Sequence, residues 1–123
     1  MKYNFYKRKM IKLPNFTAND GPVTMVNLLK YNDKEYYFNT YIPAFEKVTQ
    51  QLGITGVKVV LANKVIAPVL APEDVYWDAI VLVEYPSADA FKRIAESELY
   101  HEIADPHRLK ATKELHLFMT QPM

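Results

Sequence analysis

Hydrophobic residues recur along this chain in two periods, two and three-to-four, and the alternation between them outlines the elements. Val23 to Tyr31 puts Val23, Met25, Asn27, Leu29 and Tyr31 on one face of a strand and Thr24, Val26, Leu28 and Lys30 on the other, so its centre is apolar on both sides. Asn32-Asp33 can cap a helix from Lys34, along which Tyr37, Tyr41, Phe45, Val48 and Leu52 form one apolar stripe ended by Gly53. Pro43 lies inside that stripe, where it lacks an N–H and crowds the preceding turn, so a kink or a break into two helical pieces is expected near Thr40. Val57 to Leu70, rich in β-branched residues, reads as a second strand with an irregularity at Asn63-Lys64 and with Pro68 near an edge. Ala71 to Asp74 turns the chain back into a hairpin with Tyr76 to Tyr85.

Ser87 is the N-cap of the next helix, with Phe91, Ile94 and Ala95 inward and Asp89 in its first turn. Glu98 to Ala104 continues it, and Asp105-Pro106 restarts a helix as N-cap and N1, carrying Leu109 inward over His107 to Lys113. Leu115, Leu117 and Met119 then alternate with His116, Phe118 and Thr120 in a last strand.

The order β-α-β-β-α-β is the ferredoxin-like arrangement of the α+β class, a four-stranded antiparallel sheet with helices on one face. Tyr76 to Tyr85 is apolar on both faces through its middle, with Trp77 and Tyr85 expected to share one of them. Helices cover only one side of such a sheet, and the other side left bare would be a larger apolar patch than soluble monomers carry. The pattern therefore predicts a homodimer closed through its sheet faces.

Composition adds limits. The chain has 123 residues, half of them hydrophobic, which suits one domain able to bury a core. We divide it into an N-terminal basic and aromatic arm, 1–20, and a single domain, 21–123. The arm carries Lys2, Lys7, Arg8, Lys9 and Lys12 with no acid among them, so the rest of a chain of net charge +1 is acidic overall. Such a body repels a polyanion, which argues against nucleic acid as a partner and for a solvated or packed arm. Cysteine is absent, so thiolate metal sites, disulfides and sulfur nucleophiles are excluded. No apolar run is long enough to span a bilayer and no secretory leader is evident, so a soluble cytoplasmic protein with no membrane partner is expected.

Several segments carry a resemblance: Gly21 to Tyr31, Trp77-Asp78, Tyr85-Pro86-Ser87 with Ala90-Phe91, and Tyr100 with His107-Arg108. Over about residues 20 to 122 the chain resembles an uncharacterised family of small bacterial proteins in the dimeric α+β barrel superfamily. The resemblance implies the same ferredoxin-like dimer and imports no fixed reaction. The superfamily includes cofactor-independent quinone-forming monooxygenases, haem-degrading enzymes, muconolactone isomerases and members with no known catalysis, and fold alone does not choose among them.

The candidate chemistry rests on a few side chains. Asn27, His107 and Arg108 are candidate catalytic residues, and Trp77, Tyr85, Tyr100 and Tyr41 candidate ligand-binding residues. Trp77 can stack on a flat molecule, Arg108 can pair with a carboxylate or developing enolate, and His107 can move a proton near neutral pH. The bland counterpart is that Arg108 pairs with Asp78 or Glu84, Trp77 fills core, His107 decorates a helix end and the tyrosines, at helical spacing, are core. Asn27 is then a structural peg for a neighbouring loop. His107 and Arg108 are adjacent on a helix and point about 100° apart, which sets them toward different neighbours. Asn27 and Trp77 echo haem-degrading relatives, but an axial histidine soon after the tryptophan is missing, and no cofactor is expected. His101, Asp105 and His107 do not make a metal set, because Pro106 interrupts the helix between them. Ser87 is used as a cap, Ser97 reads as helix surface, and the three glycines fall at element boundaries and not in a phosphate loop. The functional expectation is a homodimer binding a small aromatic or carbonyl-containing molecule, as a cofactor-independent oxygenase or isomerase; the alternative is a structural or regulatory dimer with a filled pocket.

Overall fold

The structure, a computed structural model, describes Leu13 and residues 21–123. The basic arm assigned to 1–20 lies outside the described residues. Four strands, β1 (Val23–Tyr31), β2 (Lys58–Lys64), β3 (Ala79–Tyr85) and β4 (Thr112–Thr120), form one sheet in the order β2-β3-β1-β4. Every pairing is antiparallel. This is the ferredoxin-like topology expected from the element order.

The helical connections lie on one side. Asp33 caps α1 (Lys34–Tyr36), its carboxylate accepting from Tyr36 N–H. A π-helical turn, Tyr37–Tyr41, leads into α2 (Ile42–Gln51), and Ile42 N–H reaches five residues back to the Tyr37 carbonyl. The break expected near Thr40 is this widened turn: Pro43 cannot donate and its ring needs room, and the wider turn supplies it without ending the helix. Gly53, at φ 70°, closes the helix in the left-handed conformation that costs glycine least.

After β3 come α3 (Ala88–Ala95), α4 (Glu98–Ile103) and α5 (Asp105–Ala111). Ser87 caps α3, and Ser97, read from sequence as a helix-surface residue, caps α4 instead. Asp105 is not the cap of α5 but a buried residue of its first turn, with Ala104 in the capping position. Leu109 is only half-buried while Arg108 and Ala111 are buried, and β4 starts at Thr112, three residues earlier than Leu115. Asn32 and Asp33 both donate backbone N–H to the Ala111 carbonyl, which ties the end of α5 to the exit of β1.

The core lies between helices and sheet. Val23, Met25 and Leu29 of β1 stand beside Tyr85, Val83 and Ala79 of β3, with Leu115, Leu117 and Met119 of β4 on the same side. The opposite face carries Val26, Leu28, Ile80, Leu82, Leu61 and Phe118, one apolar surface across all four strands. Its charges are paired with one another: Lys30 with Glu114 at 3.1 Å and Lys58 with Glu84 at 3.3 Å.

Two strands are shorter than the alternation predicts. β2 stops at Lys64, and beyond it Ile66, Val69 and Leu70 are 88%, 97% and 97% exposed. Pro68 and Pro72 have no N–H to offer a ladder, and only Val65 still donates, to the Asp78 carbonyl. β3 begins at Ala79 and not Tyr76. Among the described residues no helix is long and apolar enough to cross a membrane.

Removing the cap of α3 tests the local account. Ser87 Oγ accepts from Ala90 N–H at 3.0 Å, so Ser87→Ala is expected to lower stability by about 1 kcal/mol in urea unfolding, with no change in slope.

Candidate functional site

Buried phenols converge under the helices. The π turn brings Tyr37 and Tyr41 to the core side, their rings 5.3 Å apart, because four residues span less rotation there than in an α-helix. Tyr85 closes β3 from below, packed edge-on against Phe91 at 5.2 Å. α4 supplies Tyr100, whose hydroxyl shares a 3.0 Å hydrogen bond with that of Tyr41.

Arg108 of α5 completes the group. It is 7% exposed, and Asp105, one turn earlier, is 1% exposed. Arg108 Nε donates to Asp105 Oδ1 at 2.8 Å, while Nη2 is buried with no hydrogen-bond partner. Native proteins rarely leave a buried donor of this kind unmatched, since it forfeits water without replacement. Asp105 Oδ2 lies 3.7 Å from Nδ1 of the half-exposed His101, so the buried pair has a route to the surface.

Burial sets the protonation states. It pushes the phenols of Tyr37, Tyr41, Tyr85 and Tyr100 up, and each neighbouring phenol that would become an anion reinforces the effect at Tyr37, Tyr41 and Tyr85. The Arg108 charge pulls the other way at Tyr41 and Tyr100 without overcoming burial. Burial lowers the Arg108 pKa, but Tyr100 and Asp105 more than restore it, so the guanidinium stays charged. The interior is therefore a set of neutral hydroxyl donors around a paired cation.

The sequence candidates divide between places. Arg108, Tyr100, Tyr41 and Tyr85 come together here. Arg108 pairs with Asp105, whereas Asp78 accepts from Tyr31 N–H at 2.8 Å and Glu84 pairs with Lys58. Asn27 faces the helix side but donates to the carbonyls of Met25 and Val81 at 3.3 and 3.2 Å, holding β1 to β3. His107 turns away from Arg108, its Nδ1 hydrogen-bonded to Tyr36 OH. Among the described residues no group of three histidine, aspartate or glutamate side chains converges as a metal set would.

Trp77 stands elsewhere. Its ring is 4.6 Å from that of His116, and Lys30 Nζ lies 5.3 Å from its centre; both neighbours project from the sheet face opposite the helices. Trp77 and Tyr85 therefore occupy opposite faces, contrary to the simple alternation. Trp77 precedes the strand, and Asp78, bonded through both its backbone N–H and its carboxylate to β1, breaks the pleat between them. On that face Glu114 is held below its ordinary pKa by its hydrogen bond to Lys30 and, to a lesser degree, by His116.

Asp105 is the partner of Arg108 that the sequence reading took for a cap. Its spacing of three from Arg108 is the signal that points to it, since residues i and i+3 share a helix face.

Solved structures share this fold. A protein of unknown function from Rhodopseudomonas palustris is 25% identical, with 100% of this chain and 94% of that one covered at a TM-score of 0.72. A dabb family protein with a ferredoxin-like fold from Mesorhizobium loti is 10% identical, covering 85% of this chain and 99% of its own, at 0.54. An ethyl tert-butyl ether (ethd) family protein from Bacillus halodurans is 16% identical, covering 84% and 99%, at 0.56. No protein-family model matches the chain, and no curated protein does. The ferredoxin-like α+β fold is the one the sequence resemblance implied.

Two outcomes follow from the buried groups. Above the ordinary phenol value of 10.0 an unfolded chain releases protons that Tyr37, Tyr41, Tyr85 and Tyr100 keep in the native state. The unfolded state then binds fewer protons, so stability is expected to fall as pH rises past that value. Alkaline titration of phenolate absorbance should show these four ionising only with unfolding; ionisation of all nine tyrosines in an intact fold would contradict it. Asp105→Ala strands a buried guanidinium and should cost about 3–5 kcal/mol in chemical denaturation, with the double change Asp105→Ala/Arg108→Met costing less.

Proposed function

We propose that this protein is a homodimer, closed through its bare sheet faces, in which each subunit binds a small aromatic or carbonyl-containing molecule among the tyrosines under its helices. The observation that carries the binding half is Arg108 Nη2, a buried cationic donor without a partner beside the Tyr41–Tyr100 hydroxyl pair. An acceptor atom from a ligand relieves that donor, and the surrounding rings offer flat apolar contact. Support for the dimer comes from the second apolar face, on which the charges are already paired and so do not repel an identical surface. In that arrangement Trp77, His116 and Phe118 lie toward the seam and act in packing.

Binding, more than turnover, is what the geometry supports. An oxygenase or isomerase without cofactor needs a proton acceptor at the bound molecule, and His107 is engaged with Tyr36 instead. The second reading, a structural or regulatory dimer with a filled interior, is favoured by the Asp105–Arg108 bond and by the mutual bond of the two phenols, which satisfy much of the interior without a ligand.

Native mass spectrometry of gently purified protein reads both halves at once. The expected spectrum is twice the 14.3 kDa chain, with a small molecule retained by the native protein and lost in Arg108→Lys. Leu82→Asp, on the bare face, should give monomers. A monomeric wild type would overturn the sheet-face dimer, and a dimer empty even after incubation with small aromatic ketones would favour the filled interior.

A further inference from the structure

The interior site also constrains the charge of what it takes up. An arginine as deeply buried as Arg108 is ordinarily read as an anchor for a carboxylate or phosphate. Here that role is already filled: Asp105, 1% exposed, accepts from Nε at 2.8 Å and neutralises the guanidinium inside the protein. A second anion at Nη2 would leave the site one negative charge in excess in a poorly solvated place. The other titratable neighbour on the pair is His101, which stands 3.7 Å from Asp105 on the carboxylate's side and is half-exposed, so that solvent screens any charge it carries. Tyr41 and Tyr100, the tyrosines that interact with the guanidinium from the other packed elements, bring no positive charge.

What the site does lack is an acceptor. Nη2 has an unspent N–H, and of the two phenols that share one hydrogen bond, one retains an O–H free to donate. Both phenols hold their protons, because burial disfavours the phenolate. Two donors and an internally neutral ion pair favour a neutral acceptor, which gains a charge-assisted hydrogen bond without carrying a net charge out of water.

We infer that the molecule bound here is uncharged and is held by a carbonyl oxygen at Arg108 Nη2, with the Tyr41–Tyr100 pair as the second donor and Asp105 as the residue that excludes anions. The inference rests on the reading of this interior as a binding site and refines it from small aromatic or carbonyl-containing molecules to neutral ketones.

Acetophenone and benzoate form a matched pair of probes, the same ring carrying a neutral carbonyl or a carboxylate. Titration of the wild-type dimer, followed by ligand-detected NMR at neutral pH, is expected to show acetophenone binding at least about tenfold more tightly than benzoate. Tyr100→Phe and Arg108→Lys should each weaken acetophenone. Asp105→Asn keeps the shape and the acceptor for Nε but removes the charge, and should shift the preference toward benzoate. Benzoate bound as tightly or more tightly by the wild type overturns the inference and leaves the interior site standing. Acetophenone binding indifferent to Tyr100→Phe and Arg108→Lys places it elsewhere and also overturns it. Failure of both probes to bind removes the interior site itself. Should Asp105→Asn not fold, the wild-type ratio and the Tyr100→Phe effect decide.

Discussion

A sheet whose two central strands are apolar on both faces is the constraint from which the rest of this structure follows. β1 and β3 lie side by side in the middle, so neither can turn a polar face outward without losing its place in the core. Helices cover one face along β1 at the centre of the sheet: Leu29, Val23 and Met25 are sealed against them. The chain has no second layer of its own among the described residues, and a face of Val26, Leu28, Ile80 and Leu82 facing water would give up much of the roughly 25 cal/mol per Å² that apolar burial returns. The proposed dimer is the shortest way to resolve that imbalance, and the internally paired charges on the face are what make self-association tolerable.

The helical layer answers a different demand, which is to hold polar groups inside a small core. Asp105 and Arg108 are costly to bury singly and tolerable together, and adjacent helical turns are what bring Nε to the carboxylate. The π turn serves the same interior from the other side. Pro43 forces the helix to widen, and widening swings Tyr37 and Tyr41 together over Tyr100. A proline that reads as a defect in the helical pattern thus shapes the wall of the candidate site.

The fold was legible from sequence because its signals are local. Alternation, caps at Asp33 and Ser87, and Gly53 depend on neighbours within a few residues, and β1 appears at its expected limits. Strand ends were less legible. Val57 to Leu70 has the composition of one long strand, yet ladder bonds need a partner, and β3 runs out opposite Lys64. The candidate site was partly legible: its tyrosines and Arg108 carry the right chemistry, but the pairing of Arg108 is a matter of which acceptor lies within 3 Å.

Trp77 marks the limit most clearly. Counting from Tyr85 places it beneath the helices, and one aspartate bonded to the neighbouring strand is enough to send it to the opposite face. By itself the sequence determined the element order and the doubly apolar centre of the sheet, because these follow from periodicity and local caps. Only the tertiary structure decided that Arg108 spends its charge on Asp105, keeps one donor unspent and lies among phenols and not beside tryptophan. Those choices depend on distances between residues far apart in the chain, which no local pattern encodes.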